Sequence, residues 1–270
     1  MKPLFSDEGA QRLEQHARGR ILCAFDFDGT LSPIVPVPED ARLPDNIRSL
    51  LERVAQHAPI AVVTGRSVED ISRRIGFRPD FLVGNHGLQG VPGWEDLAAK
   101  HEQACAAWRR RIDLALSQPG WDPGIQLEDK RFSLSLHYRH AKDPASSAAA
   151  LEGLFASLEL QPRIVGGKFV YNLLVQDRCH KGTALLRLME LSGANSALYV
   201  GDDVTDEDVF SMRRPDILSI RVETSDDSSA DFFVPHQHDV ERLLEELIER
   251  LQAAQASNWM RASSNSQAQP

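Results

Sequence analysis

Apolar residues recur along this chain in two alternating patterns, one of short unbroken runs and one of three- and four-residue spacing. Ile21 to Phe25 is an unbroken run, the form of a strand buried on both faces, and it stops at Asp26-Phe27-Asp28-Gly29. Leu43, Ile47, Leu50, Leu51 and Val54 follow at helical spacing, then a second run, Ile60 to Val63, so the segment predicts a β-α-β unit. Ser67 followed by Asp70 has the form of a helix N-cap box, Ile71 and Ile75 give an apolar stripe, and Gly76 is placed to end that helix. Phe81 to Val83 reads as a third strand.

The alternation returns near Lys181. Ala184, Leu185, Leu188 and Leu191 form a helical stripe stopped by Gly193, and Ala197 to Val200, Ile217 to Val222 and Phe232 to Val234 read as strands. Val240, Leu243, Leu244, Leu247, Ile248 and Leu251 give a last helix one face of which packs on the sheet. Residues after Ala253 are polar and low in complexity, which predicts a disordered tail.

Between these halves the pattern changes. Leu97, Cys105, Trp108, Ile112 and Leu116 predict a helix, and Phe132, Leu134, Leu136 and Tyr138 then alternate with Ser133, Ser135, His137 and Arg139, as in an antiparallel strand with one polar face. A helix through Leu151, Leu154, Phe155 and Leu158 leads to strand-like runs around Ile164 and from Phe169 to Leu174. The sequence therefore predicts an α/β core in two parts, residues 1–89 and 178–252, interrupted by an α+β domain at 90–177 and followed by a tail at 253–270.

Charge narrows the partners. Thirty Lys plus Arg stand against 39 Asp plus Glu, and the formal net charge of -9 repels nucleic acid and anionic membranes. The Arg109 to Arg111 run sits in a helical pattern and reads as a solvated face. Cys23, Cys105 and Cys179 form no C-x-x-C pair, which argues against a zinc site and a disulfide framework. With no apolar run of signal or membrane-span form, a cytoplasmic monomer acting on a small molecule is expected.

The candidate chemistry lies at the strand ends. Asp26 can attack phosphorus as a nucleophile, giving an acyl phosphate that water later cleaves, and Asp28 can protonate the leaving oxygen. The run ending at Val200 meets Asp202, Asp203 and Asp206, a cluster that repels itself without a cation. Mg²⁺ suits it, with Asp26, the Asp28 carbonyl and Asp202 as ligands and Asp203 and Asp206 behind them. Thr64, Gly65 and Arg66 end the second strand and can offer a hydroxyl and N–H groups to phosphate oxygens, while Lys181 can neutralise phosphate and nucleophile. A calcium loop starting at Asp26 fails, because Leu31 stands where Gly is needed and Val37 where Glu is needed. Neither nucleotide-binding glycine motif is present.

DFDGTL, VVTGR, Lys181-Gly182 and GDDVTDED, in this order, resemble the four motifs of the haloacid dehalogenase-like hydrolases, which implies a Rossmann-like parallel-sheet core with an inserted α+β cap. PIVPVPEDA, GNHG, LEDK followed by SLSLHYR, and YVGDDVTDEDVF are similar to trehalose-6-phosphate phosphatases. That resemblance implies hydrolysis of trehalose 6-phosphate and a pathway shared with a trehalose-6-phosphate synthase. The chain departs from it at Asn172, Leu174 and Val175, where the family usually carries Glu, a basic residue and Pro. The four core motifs leave open another capped sugar phosphatase, acting on sucrose phosphate or mannosylphosphoglycerate, a sugar phosphomutase, or a non-catalytic sugar-phosphate-binding protein.

For the sugar, His137 and Arg139 share one strand face by spacing, as do Lys168 and Asn172, and Glu128 and Lys130 lie just upstream. Asn85 and His86, at the junction between core and insert, are expected to line a cleft.

Overall fold

A computed structural model describes the backbone of residues 1–175 and 179–266, with side chains described through residue 257. The chain forms two compact units, Met1–Val91 with His180–Pro270, and Pro92–Cys179. The boundary expected at 177/178 lies outside the described residues.

The core unit is built from β1 (Lys2–Pro3), α1 (Asp7–Ala17), β2 (Ile21–Phe25), α2 (Asp45–Val54), β3 (Ile60–Val63), α3 (Val68–Ser72) and β4 (Phe81–Val83). The inserted unit holds α4 (Glu95–Leu116), β5 (Gln126–Asp129), β6 (Leu134–His137), α5 (Pro144–Ala156), β7 (Pro162–Gly167) and β8 (Val170–Val175). The core then resumes with α6 (Lys181–Ser192), β9 (Ser196–Gly201), α7 (Glu207–Phe210), β10 (Ile217–Val222), β11 (Phe232–Val234) and α8 (Asp239–Ser266).

Seven parallel strands make the core sheet in the order β1-β11-β10-β9-β2-β3-β4. The central position of β2 explains its unbroken apolar run: all five residues are buried, because helices cover both faces of a parallel sheet. Leu50, Leu51 and Val54 of α2 pack with Leu243, Leu244, Leu247 and Ile248 of α8 in one cluster on this sheet. β2 lies between β9 and β3, so residues far apart in sequence end on the same sheet edge.

The inserted unit has its own four-stranded antiparallel sheet, β5-β6-β8-β7. One face packs Leu134, Leu136 and Leu173 against Trp108 and Ile112 of α4 and Leu151 and Phe155 of α5. The opposite face carries the row Glu128, Ser135, Asn172, in register across β5, β6 and β8.

Several expectations need adjustment. The alternating strand expected through Tyr138 ends at His137, and Arg139 sits exposed in the following turn. Lys168 is exposed in the β7–β8 turn, before β8 begins, so strand alternation does not put it on a face with Asn172. Ser133 and Ser135, expected on the open face, are buried; Ser135 stands in its row between the longer Glu128 and Asn172, and Ser133 lies just before β6. β5 is polar and lacks an apolar signature. α3 ends at Ser72, short of Gly76, as Ser67 caps its start by accepting from the Asp70 N–H at 3.1 Å.

The expected disorder from residue 253 is corrected as well: α8 runs on to Ser266. Ala253, Ala254 and Ala256 are strong helix formers, and neither Pro nor Gly interrupts them. The last four residues of that expected tail, 267–270, lie outside the described residues. Among the described residues no helix is long and apolar enough to cross a membrane.

Trp108 anchors the inserted unit: it is 2% exposed and its indole N–H donates to the Leu160 carbonyl at 2.6 Å. Trp108→Ala should destabilise this unit by about 3–5 kcal/mol, seen as loss of hydrogen-exchange protection in β6 and β8 while β2 and β9 stay protected.

Candidate active site

Three strand ends and one helix start meet at the carboxyl edge of the parallel sheet. Asp26 is the first residue past β2, and its N–H donates to the Val200 carbonyl of β9 at 2.8 Å. Asp202 follows the end of β9, and Thr64 follows the end of β3. Lys181 opens α6, where the His180 ring accepts from the Gly182 N–H at 3.2 Å and the Thr183 hydroxyl accepts from the His180 N–H at 3.1 Å.

Lys181 is 1% exposed. Its ammonium lies 2.7 Å from Asp206 Oδ1 and 3.2 Å from Asp26 Oδ2. Asp206, wholly buried, spends both oxygens on the protein: Oδ1 also accepts from the Tyr199 hydroxyl at 2.7 Å, and Oδ2 from the Asp202 and Asp203 N–H groups, each at 2.9 Å. The Asp203 side chain accepts from the Val204 N–H at 2.7 Å and closes the Val204–Asp206 turn.

Burial pushes the Lys181 charge down, but Asp206 and Asp26 outweigh it and raise its pKa, so the ammonium is retained. Burial raises Asp26 well above the ordinary carboxylate range, with Lys181 pulling it down and Asp206 and Asp202 pushing it further up. Asp202 is pushed up to about 7, first by burial and then by Asp206, against the Thr30 hydroxyl and Lys181. One ammonium is too little positive charge for these carboxylates.

The donor set fits a divalent cation. Asp26, Asp202 and Asp206 each offer an oxygen within 4.8 Å of the others, and Asp26 Oδ1 is buried without a hydrogen-bond partner. Because Asp206 has both oxygens engaged, Asp26 and Asp202 are the carboxylates of this cluster that could face a cation, and Asp206 is bonded to Lys181, Tyr199 and the Asp202 and Asp203 N–H groups. Thr30 donates to Asp202 Oδ1 at 2.9 Å, and its own carbonyl accepts from Gln237 at 2.9 Å. Gly29, at φ 78°, lets this loop close: a Cβ there would lie 2.1 Å from Asp202 Oδ2.

Asp28 and Arg66 meet each other. Arg66 Nε donates to Asp28 Oδ2 and Nη2 to Oδ1, both at 2.6 Å. Nη2 also reaches the Pro38 carbonyl at 2.9 Å and Nη1 reaches Asp70 at 2.7 Å. The Arg66 guanidinium, in a segment expected to bind phosphate, is thus largely spent inside the protein. The Thr64 hydroxyl accepts from the Arg66 N–H at 3.2 Å, which leaves its own proton to donate.

Asn85 and His86 occupy a left-handed turn, φ 50° and 57°, and their N–H groups donate to the Arg66 and Thr64 carbonyls at 2.8 and 3.0 Å. Asn85 is buried, with its amide donating to Gln89 at 2.8 Å, so it braces the loop after β3. The His86 ring lies against Gly65, 2.5 Å from where a Cβ would stand, so a larger residue at 65 would displace it.

In the inserted unit His137 Nε2 lies 2.9 Å from Glu128, and Lys130 lies 3.7 Å from the same carboxylate. The His137 hydrogen bond holds Glu128 below its usual range, against burial and with help from Lys130. The buried Ser135 hydroxyl donates to the Asn172 carbonyl oxygen at 2.6 Å, which turns the Asn172 NH₂ outward as a donor.

Sequence reasoning missed Tyr199, Thr30, Gln237, Asp70 and Ser135 as parts of these networks. Tyr199 carried a signal, since a tyrosine inside a buried run needs a partner for its hydroxyl. Gln237 carried none.

Fold and site define the class: a parallel α/β core that gathers aspartates and a buried lysine at its carboxyl edge, interrupted by an α+β unit. The chain belongs to the trehalose-phosphatase family, whose model matches residues 24–241. It is 34% identical over 217 residues to the trehalose-phosphate phosphatase of Mycobacterium tuberculosis (strain ATCC 25618 / H37Rv), covering 75% of this chain and 54% of that protein. It is 32% identical over 218 residues to the trehalose-phosphate phosphatase of Mycobacterium marinum (strain ATCC BAA-535 / M), with the same 75% and 54% coverage. The chain thus spans about half the length of these curated relatives. The C-terminal domain of a C. albicans trehalose-6-phosphate phosphatase shares its fold at TM-score 0.71 and 22% identity, over 92% of this chain and 99% of that one.

Asp206→Ala removes the nearer of two anions from a buried ammonium and the acceptor of the Tyr199 hydroxyl and two N–H groups. It should cost about 3–5 kcal/mol of stability, measured as a lowered urea midpoint, whereas a change under ~1 kcal/mol would show that Lys181 does not depend on it.

Proposed function

We propose that the protein is a Mg²⁺-dependent phosphatase that hydrolyses trehalose 6-phosphate to trehalose and phosphate through an aspartyl phosphate on Asp26. The observation that carries this reading is the buried pairing of Asp26 with Lys181, with one Asp26 oxygen left without a partner. An ionised carboxylate in such a place is costly unless it is used. Family membership and the names of the mycobacterial relatives support the choice of substrate.

In this reading Asp26 attacks phosphorus and the bond from phosphorus to the sugar oxygen breaks. Asp28 gives its proton to the departing oxygen and becomes a carboxylate. Water then attacks the acyl phosphate, Asp28 takes a proton from it, and Asp26 is regenerated. Lys181 and the Thr64 hydroxyl balance negative charge on the phosphoryl oxygens. Mg²⁺, held by Asp26, Asp202 and the Asp28 carbonyl, would supply the remaining positive charge to phosphate. In the inserted unit Glu128, Lys130, His137 and Asn172 are the groups for sugar hydroxyls, with Arg139 and Lys168 as exposed turn residues beside them in sequence. Their use by a disaccharide would convert remote binding energy into turnover.

A substrate panel with Mg²⁺ tests this directly. Trehalose 6-phosphate should give the highest kcat/KM among sucrose 6-phosphate, glucose 6-phosphate and mannosylphosphoglycerate, with free trehalose and phosphate as products. If another sugar phosphate wins, the substrate is wrong while the chemistry stands. Asp26→Asn should lower turnover on the order of 10⁴-fold or more with the fold retained. EDTA should abolish activity and Mg²⁺ restore it; full turnover in metal-free buffer would overturn the cation's role.

A further inference from the structure

Arg66 stands where a phosphate ligand was expected, yet its donors point elsewhere. Two N–H groups go to Asp28, one to Asp70 and one to the Pro38 carbonyl, which commits four of the five a guanidinium has. The Arg66 side chain is 13% exposed and its guanidinium lies over the buried Phe27 ring at 5.8 Å, so it is seated rather than reaching outward. Asp70 is shared: Arg74 Nε donates to it at 2.9 Å and Nη2 at 2.5 Å. Arg74 in turn donates to the Glu39 carbonyl, and Arg42 donates to the same carbonyl at 2.6 Å. The 38–41 loop is thus tied through Arg74, Asp70 and Arg66 to Asp28.

We propose that Arg66 is a positioning residue for the leaving-group step, acting through Asp28, and that Asp70 and Arg74 fix it in place. This rests on the reading of Asp28 as the general acid. When the bond from phosphorus to the leaving oxygen breaks, that oxygen takes the proton of the Asp28 carboxyl, and Asp28 remains as a carboxylate. The fork of Arg66 is matched to the two oxygens of that carboxylate. It holds the Asp28 carboxyl in one orientation, toward the leaving oxygen in the first step and toward water in the second. Asp70 supports the arrangement: burial pushes its carboxyl up, but hydrogen bonds from Arg74 and Arg66 bring it below the usual range, so it remains an anion facing both guanidinium groups.

Two aryl esters separate this role from phosphate binding, and neither requires the sugar assignment to be right. Phenyl phosphate releases a phenol of pKa about 10 and needs the acid, whereas 4-nitrophenyl phosphate releases a much better leaving group. kcat/KM is the quantity to compare, because it covers only steps up to release of the alcohol. Arg66→Ala should lower it roughly 10- to 100-fold for phenyl phosphate and less than about threefold for 4-nitrophenyl phosphate. Asp70→Ala should show the same pattern more weakly. Inhibition by inorganic phosphate should be unchanged, a readout that a phosphate ligand would move. In an Asp28→Asn background, Arg66→Ala should add no further loss with either ester. Arg66→Lys, which keeps the charge and loses the fork, carries the same comparison if Arg66→Ala does not fold. Equal losses on both esters with weakened phosphate inhibition would make Arg66 a phosphoryl ligand and overturn the proposal. If Asp28→Asn itself costs both esters equally, the acid reading falls first; if only Arg66→Ala lacks leaving-group dependence, that reading survives and this one does not.

Discussion

A lysine ammonium buried at the amino end of a helix is the constraint on which the site depends. Lys181 is 1% exposed, and the helix dipole of α6 opposes a positive charge at its start. Such a charge survives only with close, well-bonded anions. Asp206 and Asp26 are those anions, and each is tied to another part of the sheet edge. Asp206 turns the chain after β9 by accepting from the Asp202 and Asp203 N–H groups, which aims Asp202 at Asp26. One buried cation thereby links the ends of β2 and β9 to the start of α6.

The surrounding networks divide the work. Thr30 and Gln237 hold Asp202 from the side of α8, while Arg66, Asp70 and Arg74 hold Asp28 from the side of α3. Most of these are hydrogen bonds to charged groups, the stronger kind, and they leave few of the charged side chains free to move. Asp26 Oδ1, by contrast, is a buried carboxylate oxygen without a hydrogen-bond partner. In the inserted unit polar groups instead form a row on an open sheet face, with Glu128 paired to His137 and Asn172 oriented by Ser135.

Much of this is legible in the sequence. Strands buried on both faces announce themselves as unbroken apolar runs, so β2 and β3 carry the bounds expected of them, and β10 and β11 do too although Ser219 and Arg221 interrupt β10. Carboxylates placed just past such runs land at the carboxyl edge of the sheet because parallel strands share one direction. Asp26, Asp202 and Lys181 could therefore be named from position and residue type. Edge elements were harder: β5 is polar, and α7 has four residues, too few to show a period.

By itself the sequence determined the alternation of elements, the place of the insertion and which acids stand at strand ends, since these follow from local periodicity and chain direction. Only the tertiary structure decided which partner each polar side chain takes. Arg66 is the clear case: next to Thr64 and Gly65 it reads as a phosphate ligand, yet α3 and the 38–41 loop surround it with Asp28, Asp70 and a carbonyl. Tyr199 and Gln237 likewise gain their roles from groups brought to them by the sheet order and the packing of α8. A hydrogen bond depends on distance and angle within tenths of an ångström, and sequence spacing sets these within one element but not between elements that meet only after folding.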